Sequence, residues 1–312
     1  EWSSLNYPTD LVTLHRDWSA ILTRFAPVIT ELEAWNEPDG FSRGPGSLYV
    51  PLVKTLAWSN RQSGAGVTLV GGVYSELASA EFHESTGLDR MLDVVDAISF
   101  HTYSGPLEVT GQLRDYRDFL RRYGRESLPI YITEGGRPYS SEAWWEQGNA
   151  ACYIVAKGVV ARACGLAQYY PFIAQSYGEG QMNFSMLDAD GAPRRSLAAY
   201  LKMATELSGL EYLGNLRCDD PLVVAIPVFG NAGRLIAVPI TMRVQAENTI
   251  AVDAPILSIE GIDGRTLTRT PDGRIPLPDG VGYLVLAPAS MRGADATRLD
   301  TETEYMELYR RA

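Results

Sequence analysis

Apolar residues recur at three- and four-residue spacing over 10–25, where Leu11, Leu14, Trp18, Leu22 and Phe25 share a face, and this spacing predicts a helix. A short strand follows: Val28-Ile29-Thr30-Glu31-Leu32 runs on to Trp35-Asn36-Glu37-Pro38 and is expected to end at Glu37. The alternation then repeats. Residues 47–62 read as a helix, 67–72 as a strand, a stretch around 88–95 as a helix and 97–101 as a strand. A helix over 110–123, a strand over 130–134, a long helix over 142–163, a strand over 166–172 and a last helix over 194–208 complete the series. Strand and helix alternating at this rhythm predict parallel strands joined by crossover helices.

The pattern changes near residue 213. Short β-rich runs at 222–229, 234–240, 249–252, 256–259 and 282–286 are separated by the turn signals Gly230-Asn231, Asp263-Gly264, Asp272-Gly273 and Asp279-Gly280. The expected organisation is an α/β barrel segment over 1–212, an antiparallel β-sandwich over 213–290 and a C-terminal tail over 291–312. In the tail, Tyr305, Leu308 and Tyr309 stand at helical spacing, so it reads as a docking helix or a frayed end.

Charge and composition narrow the possible partners. The 312 residues carry a net charge of −11 with no dense Lys/Arg cluster, which argues against nucleic acid and acidic membrane as partners. The longest apolar stretches fall well short of the ~20 residues that span a bilayer. The chain opens on Glu1-Trp2-Ser3 with neither an initiating Met nor a signal-peptide pattern, and reads as a mature product or a fragment. Cys152 and Cys164 fall on one expected helix ~18 Å apart, beyond disulfide reach, and with Cys218 they read as free thiols. His15, His83 and His101 are scattered, no Cys/His spacing resembles a zinc site, and no metal or cofactor is expected.

The chemistry gathers at the ends of the expected strands. In a closed βα barrel, functional side chains project from the C-terminal ends of the strands. Glu37, His101, Tyr103 and Glu134 take such places, and Tyr170 and Phe172 take another. Two glutamates so placed can divide the cleavage of a glycosidic bond between an acid/base and a nucleophile, provided their environments push their pKa values apart. Pro38 is expected to hold Glu37 extended and away from helical geometry. Asn36 beside it can offer an amide to a sugar hydroxyl, and His101 and Tyr103 can hydrogen-bond the nucleophile or the sugar. Gly135 and Gly136 allow a sharp turn after Glu134 and leave room for a ligand. A strand-end glutamate alone usually reads as a solvated charge, so the signal lies in the set rather than in any single member.

Trp35-Asn36-Glu37-Pro38, His101-Thr102-Tyr103 and Ile132-Thr133-Glu134 resemble the hallmarks of glycoside hydrolase clan A, retaining enzymes built on a (β/α)8 TIM barrel. The resemblance covers about residues 1–290 and is nearest to family 39-like or family 5-like members. It implies that Glu37 is the acid/base ending strand four and Glu134 the nucleophile ending strand seven. By the same resemblance Asn36 contacts the sugar 2-hydroxyl, with Trp35 beside it, and His101 and Tyr103 form the strand-six pair. Clan members usually place a Trp at the end of strand eight to stack on the sugar. Here Tyr170 or Phe172 stands there, so one of these, or Trp144 or Trp145 from the preceding loop, has to serve.

Counting strands exposes a departure. The five runs match strands four to eight, and three further βα units would take roughly 110 residues. The strand-two arginine that supports the nucleophile in the clan has no counterpart to assign here. The expectation is an N-terminally truncated barrel acting on a glycoside, oligosaccharide or polysaccharide, placed outside the cell or in the periplasm by resemblance only. Neither the oligomeric state nor the sugar follows from the sequence. The alternatives are an inactive carbohydrate-binding or scaffold protein with an incomplete barrel, or another α/β enzyme in which the two glutamates stand far apart.

Overall fold

Five strands, β1 (Glu31–Glu33), β2 (Thr68–Tyr74), β3 (Ala97–His101), β4 (Ile130–Glu134) and β5 (Gln168–Tyr169), pair in parallel in that order. They belong to a computed structural model that describes residues 6–41, 45–75, 80–287 and 299–300. The strand bounds 97–101 and 130–134 agree with the sequence reading. The sheet is a curled parallel half-barrel of the TIM type, lying in a compact unit made of 1–102, 112–134 and 166–170. A second unit takes 103–111, 135–165 and 171–312.

Helices α1 (Leu11–Phe25), α2 (Pro38–Phe41), α3 (Gly46–Ser63), α4 (Ala80–Leu88) and α5 (Val109–Arg122) lie between the strands or ahead of them. The α1 helix starts at Asp10, whose carboxylate accepts from the Thr13 backbone N–H at 3.0 Å and so satisfies an orphan donor of the first turn. At its end α3 stops on Gly64, whose left-handed φ of 65° suits a residue without a Cβ. The two helices pack together, with His15 Nδ1 2.9 Å from Ser59 Oγ. On the helix side of the sheet, Phe100 of β3 stacks on Tyr116 of α5 with ring centroids 4.4 Å apart.

Two elements differ from expectation. The helix read around 88–95 lies earlier, as α4, and Met91–Asp93 form a single 3-10 turn. The buried face of α4 is Phe82, His83, Thr86 and Gly87, too polar and small to announce itself, whereas Met91 and Leu92 are buried in the turn that follows. The strand read over 166–172 is only the two residues of β5.

In the second unit, α6 (Trp144–Ala163) and α7 (Arg195–Leu207) pack on each other. Between them, β6 (Gly178–Glu179) and β7 (Met182–Asn183) form a hairpin that the sequence reading missed. Next come β8 (Glu211–Leu216), β9 (Pro227–Gly230), β10 (Leu235–Ala237), β11 (Thr249–Ile250), β12 (Ile256–Gly261), β13 (Thr266–Leu267), β14 (Ile275–Pro276), β15 (Gly282–Leu286) and β16 (Leu299–Asp300). Seven of them form one antiparallel sheet in the order β13-β12-β15-β10-β9-β8-β16, and β11 pairs separately with β14. Ile250 and Ile275 of that pair share a buried core with Val228, Leu235, Leu284 and Leu286 of the large sheet. The expected tail helix falls outside the described residues, except that Asp300 belongs to β16.

Among the described residues no helix is long and apolar enough to cross a membrane. The three cysteines are free, and burial pushes the Cys152 and Cys164 thiols up to about 12, which keeps them protonated and unreactive.

Lys157 of α6 is fully buried, and desolvation pushes its ammonium down to about 7, against the weaker opposing pull of Glu108. Because the folded value lies below the unfolded 10.5, the unfolded chain binds more protons between these two pH values, and stability contributed by this group rises with pH across that window. Below about pH 7 the buried charge carries its full cost. Lys157→Met is therefore expected to stabilise the protein most below pH 7, by on the order of a few kcal/mol, with the gain fading toward pH 10.5. Urea titrations of both forms at pH 6 and pH 9 check it; an equal difference at the two pH values contradicts it.

Candidate active site

Glu37 stands four residues beyond β1, not at its end, and its φ is +44°, so the extended conformation expected from Pro38 does not occur. A non-glycine residue in the left-handed region persists only where its surroundings hold it. Three contacts do so. The Glu37 N–H donates to the Val73 carbonyl at 3.0 Å, the Pro38 carbonyl accepts from Tyr7 Oη at 2.9 Å, and the Asp39 carboxylate accepts from the Ser75 N–H at 2.9 Å. The Val73 carbonyl is available because β2 bulges there: Gly72 and Val73 have φ of +80° and +51°, and the register with β3 shifts between Gly72 and Tyr74. A Cβ on Gly72 would meet the Tyr74 ring at 2.6 Å, so the bulge needs glycine. Pro38 is instead the first residue of α2, a place where its missing N–H costs nothing.

A second register shift, between Phe100 and His101, sets His101 opposite Glu134. The Thr102 N–H donates to the Glu134 carbonyl at 2.9 Å and locks that pairing. His101 is buried, with Nδ1 2.8 Å from Glu37 Oε1 and 3.5 Å from Glu134 Oε2. One imidazole nitrogen thus faces both carboxylates, each of which is partly exposed. Donor atoms of Glu37, His101 and Glu134 all lie within 4.8 Å of one another, and among the described residues this is the set that could also hold a metal ion.

Below this trio the same face of the sheet carries a polar row that the sequence reading missed. Ser99 Oγ donates to Glu33 Oε1 at 2.7 Å, while Glu31 Oε1 accepts from Gln168 Nε2 at 2.7 Å and Tyr131 Oη at 3.2 Å. Burial and the neighbouring Glu31 push the Tyr131 phenol up to about 12, so it remains a donor. The available signal was the Glu31-x-Glu33 alternation, which places both acids on one face of β1.

The remaining candidates are distributed as follows. Asn36 is exposed, and Trp35 tilts against Tyr7 with centroids 5.6 Å apart. Tyr170 is 44 % exposed and its hydroxyl donates to Gln168 Oε1. Tyr103 and Phe172 belong to the second unit, where they join Tyr177 and Phe184 in an edge-to-face cluster: Tyr103 to Phe184 5.6 Å, Phe172 to Tyr177 5.3 Å and Phe172 to Phe184 5.7 Å. Tyr177 and Phe184 flank the β6–β7 hairpin and were not anticipated. Trp144, the first residue of α6, is 60 % exposed, and Trp145 is also exposed. Gly136 serves a close backbone approach rather than an opening for ligand, since a Cβ there would meet the Phe172 carbonyl oxygen at 2.5 Å.

No family model and no curated protein matches the sequence. Solved structures do match the fold. A family 39 glycoside hydrolase from Bacteroides cellulosilyticus WH2 superposes with a TM-score of 0.71 at 19% identity, over 90% of this chain and 63% of that one. A family 39 β-xylosidase from Caulobacter crescentus gives 0.58 at 17% identity, over 89% and 73% of the two chains. The family 30 subfamily 8 xylanase Xyn30A from Clostridium acetobutylicum gives 0.58 at 13%, over 88% and 72%. The resemblance to clan A therefore holds as a likeness of fold, and the chain spans less than two thirds of the Bacteroides hydrolase.

Proposed function

We propose that this chain carries the catalytic residues of a retaining glycoside hydrolase, with Glu37 as acid/base and Glu134 as nucleophile. The observation that carries the reading is the approach of the two carboxyl groups about one imidazole, with donor atoms inside 4.8 Å. Retaining enzymes hold their two carboxyl groups ~5–5.5 Å apart, whereas inverting enzymes leave ~6.5–9.5 Å for a water. In the first step Glu134 attacks the anomeric carbon as Glu37 gives its proton to the leaving oxygen. In the second, Glu37 takes a proton from water, which displaces Glu134 and releases the sugar with its configuration retained. His101 holds the two side chains toward each other while Glu37 gives up its proton and Glu134 forms the bond to the anomeric carbon. The exposed Asn36 is a sugar contact in this reading, and Trp35 and Tyr170 of the same unit are candidate walls.

The structural neighbours include a β-xylosidase and a xylanase, which makes β-xylosides the first substrates to try. The test is a panel of aryl β-xylosides and β-glucosides followed by proton NMR in the first minutes. The β-anomer is expected to appear first, and EDTA is expected to leave the rate unchanged. Initial release of the α-anomer contradicts the nucleophile assignment. Loss of activity in EDTA, restored by a divalent cation, moves the trio to a metal site. Tight sugar binding with no hydrolysis favours the carbohydrate-binding alternative.

A further inference from the structure

Helix α3 has two unlike faces. Tyr49, Leu52, Val53, Leu56 and Ala57 are buried. Ser47, Pro51, Lys54, Thr55 and Trp58 recur at i, i+4, i+7, i+8 and i+11, which on a helix makes one stripe ~16 Å long. Leu11, Val12 and His15 of α1 face this stripe across a groove of about 660 Å³, within the ~300–1,000 Å³ of small-molecule sites. Asp89, one residue past α4, also lines it. Every lining residue falls in the first compact unit, and none belongs to the Glu37, His101 and Glu134 trio. Trp58 is half exposed, and Val12 more so. Lys54 and Asp89 are exposed, and among the described residues neither takes part in an ion pair. Pro51 has no N–H for the Ser47 carbonyl one turn back, so the helix leaves an acceptor at the groove wall. His15 Nδ1 is engaged with Ser59 Oγ, which leaves its Nε2.

This mixture selects among ligands. An apolar helix laid here would strip water from Lys54 and Asp89 and pair neither. A charged ligand would match one of them and face repulsion from the other. An uncharged sugar chain meets both: its C–H face stacks on an indole, and its hydroxyls accept from an ammonium and donate to a carboxylate or a carbonyl. We propose that the groove between α1 and α3 is a second, non-catalytic carbohydrate site for an uncharged oligosaccharide, with Trp58 as its platform and Lys54 and Asp89 as its hydrogen-bonding flanks. The ligand class rests on the glycosidase reading above, because such a site holds the polymer that the carboxylates cut. It raises the local concentration of a polymeric substrate and does nothing for a small one.

The test titrates xylohexaose or cellohexaose into the full chain carrying Glu134→Gln, which keeps the sugar intact, and follows the indole N–H resonances by NMR. The Trp58 resonance, assigned by its absence in Trp58→Phe, is expected to shift saturably, together with the backbone amides of Lys54, Thr55 and Asp89. Read at those amides, Trp58→Ala is expected to weaken binding by about tenfold, the scale of losing an aromatic anchor, and Trp58→Phe, which keeps a ring, by less. With Glu134 intact, Trp58→Ala is expected to raise KM on soluble xylan by about threefold to tenfold and to leave aryl β-xyloside kinetics unchanged. No shift of the Trp58 resonance at any soluble concentration of either sugar overturns the proposal. So does a dimer that is lost in Trp58→Ala without a sugar shift, which assigns the groove to a second copy of the chain. A wild-type protein that hydrolyses no glycoside defeats the catalytic reading, while the Trp58 titration still decides whether the groove binds sugar.

Discussion

Glu134→Gln is expected to lower turnover of an aryl β-glycoside by about four orders of magnitude or more, the scale seen when a covalent nucleophile is removed. The carboxamide keeps the size of the side chain and a contact to His101, so the thermal transition is expected to stay close to that of the wild type. A sharper form of the experiment uses Glu134→Ala, which opens space at the anomeric carbon. Azide can then occupy the position of the missing carboxylate and displace the leaving group in one step, giving a glycosyl azide of inverted configuration. A single displacement inverts and a double displacement retains, so the product's configuration reports which residue was lost. Recovery of the natural, retained product from Glu134→Ala without an added nucleophile contradicts the assignment.

The residues of this site were more legible than its geometry. His101 and Glu134 could be named because β3 and β4 are short buried runs whose ends the sequence marks well, and Glu37 because of the run Trp35-Asn36-Glu37-Pro38 in which it stands. What brings them together is not local. The φ of Glu37 depends on a bulge in β2 more than thirty residues later, and the approach of His101 to Glu134 depends on a register shift between two strands. Gly71-Gly72 was a signal of the bulge, since paired glycines inside a strand often mark one. The polar row of Glu31, Glu33, Ser99, Tyr131 and Gln168 stayed hidden because each polar group interrupts a different strand and finds its partner only across the sheet. At β5 the aromatic run 168–172 suggested a longer strand. The chain leaves the sheet after Tyr169, and the Phe172 N–H donates to the Gly135 carbonyl at 3.0 Å instead. In the β region, Gly214 sits at a shift in the β8–β9 register, and this obscured the alternation of β8.

Glu37 supplies the second large effect, and its signature differs from that of Glu134. In Glu37→Gln the nucleophile remains, so the first displacement depends on how well the leaving group departs without a proton. A dinitrophenyl glycoside is expected to form the glycosyl-enzyme at close to the wild-type rate, whereas an alkyl glycoside is expected to slow by about two to four orders of magnitude, the usual contribution of general acid–base catalysis. The second displacement lacks its base, so the intermediate accumulates. A burst of dinitrophenolate followed by a slow steady state is the expected trace, and one sugar per chain is expected in the intact mass. Azide needs no deprotonation to attack the intermediate and is expected to restore turnover, yielding a glycosyl azide of retained configuration. The retained azide from a Glu37 variant and the inverted azide from Glu134→Ala distinguish the two carboxylates by stereochemistry alone. The His101 contact to both makes this comparison necessary, because one imidazole nitrogen lies 2.8 Å from one carboxylate and 3.5 Å from the other, and stereochemistry separates the roles that this shared contact does not. An inverted azide from the Glu37 variant requires exchanging the two roles, and equal slowing of dinitrophenyl and alkyl substrates removes Glu37 from proton transfer altogether.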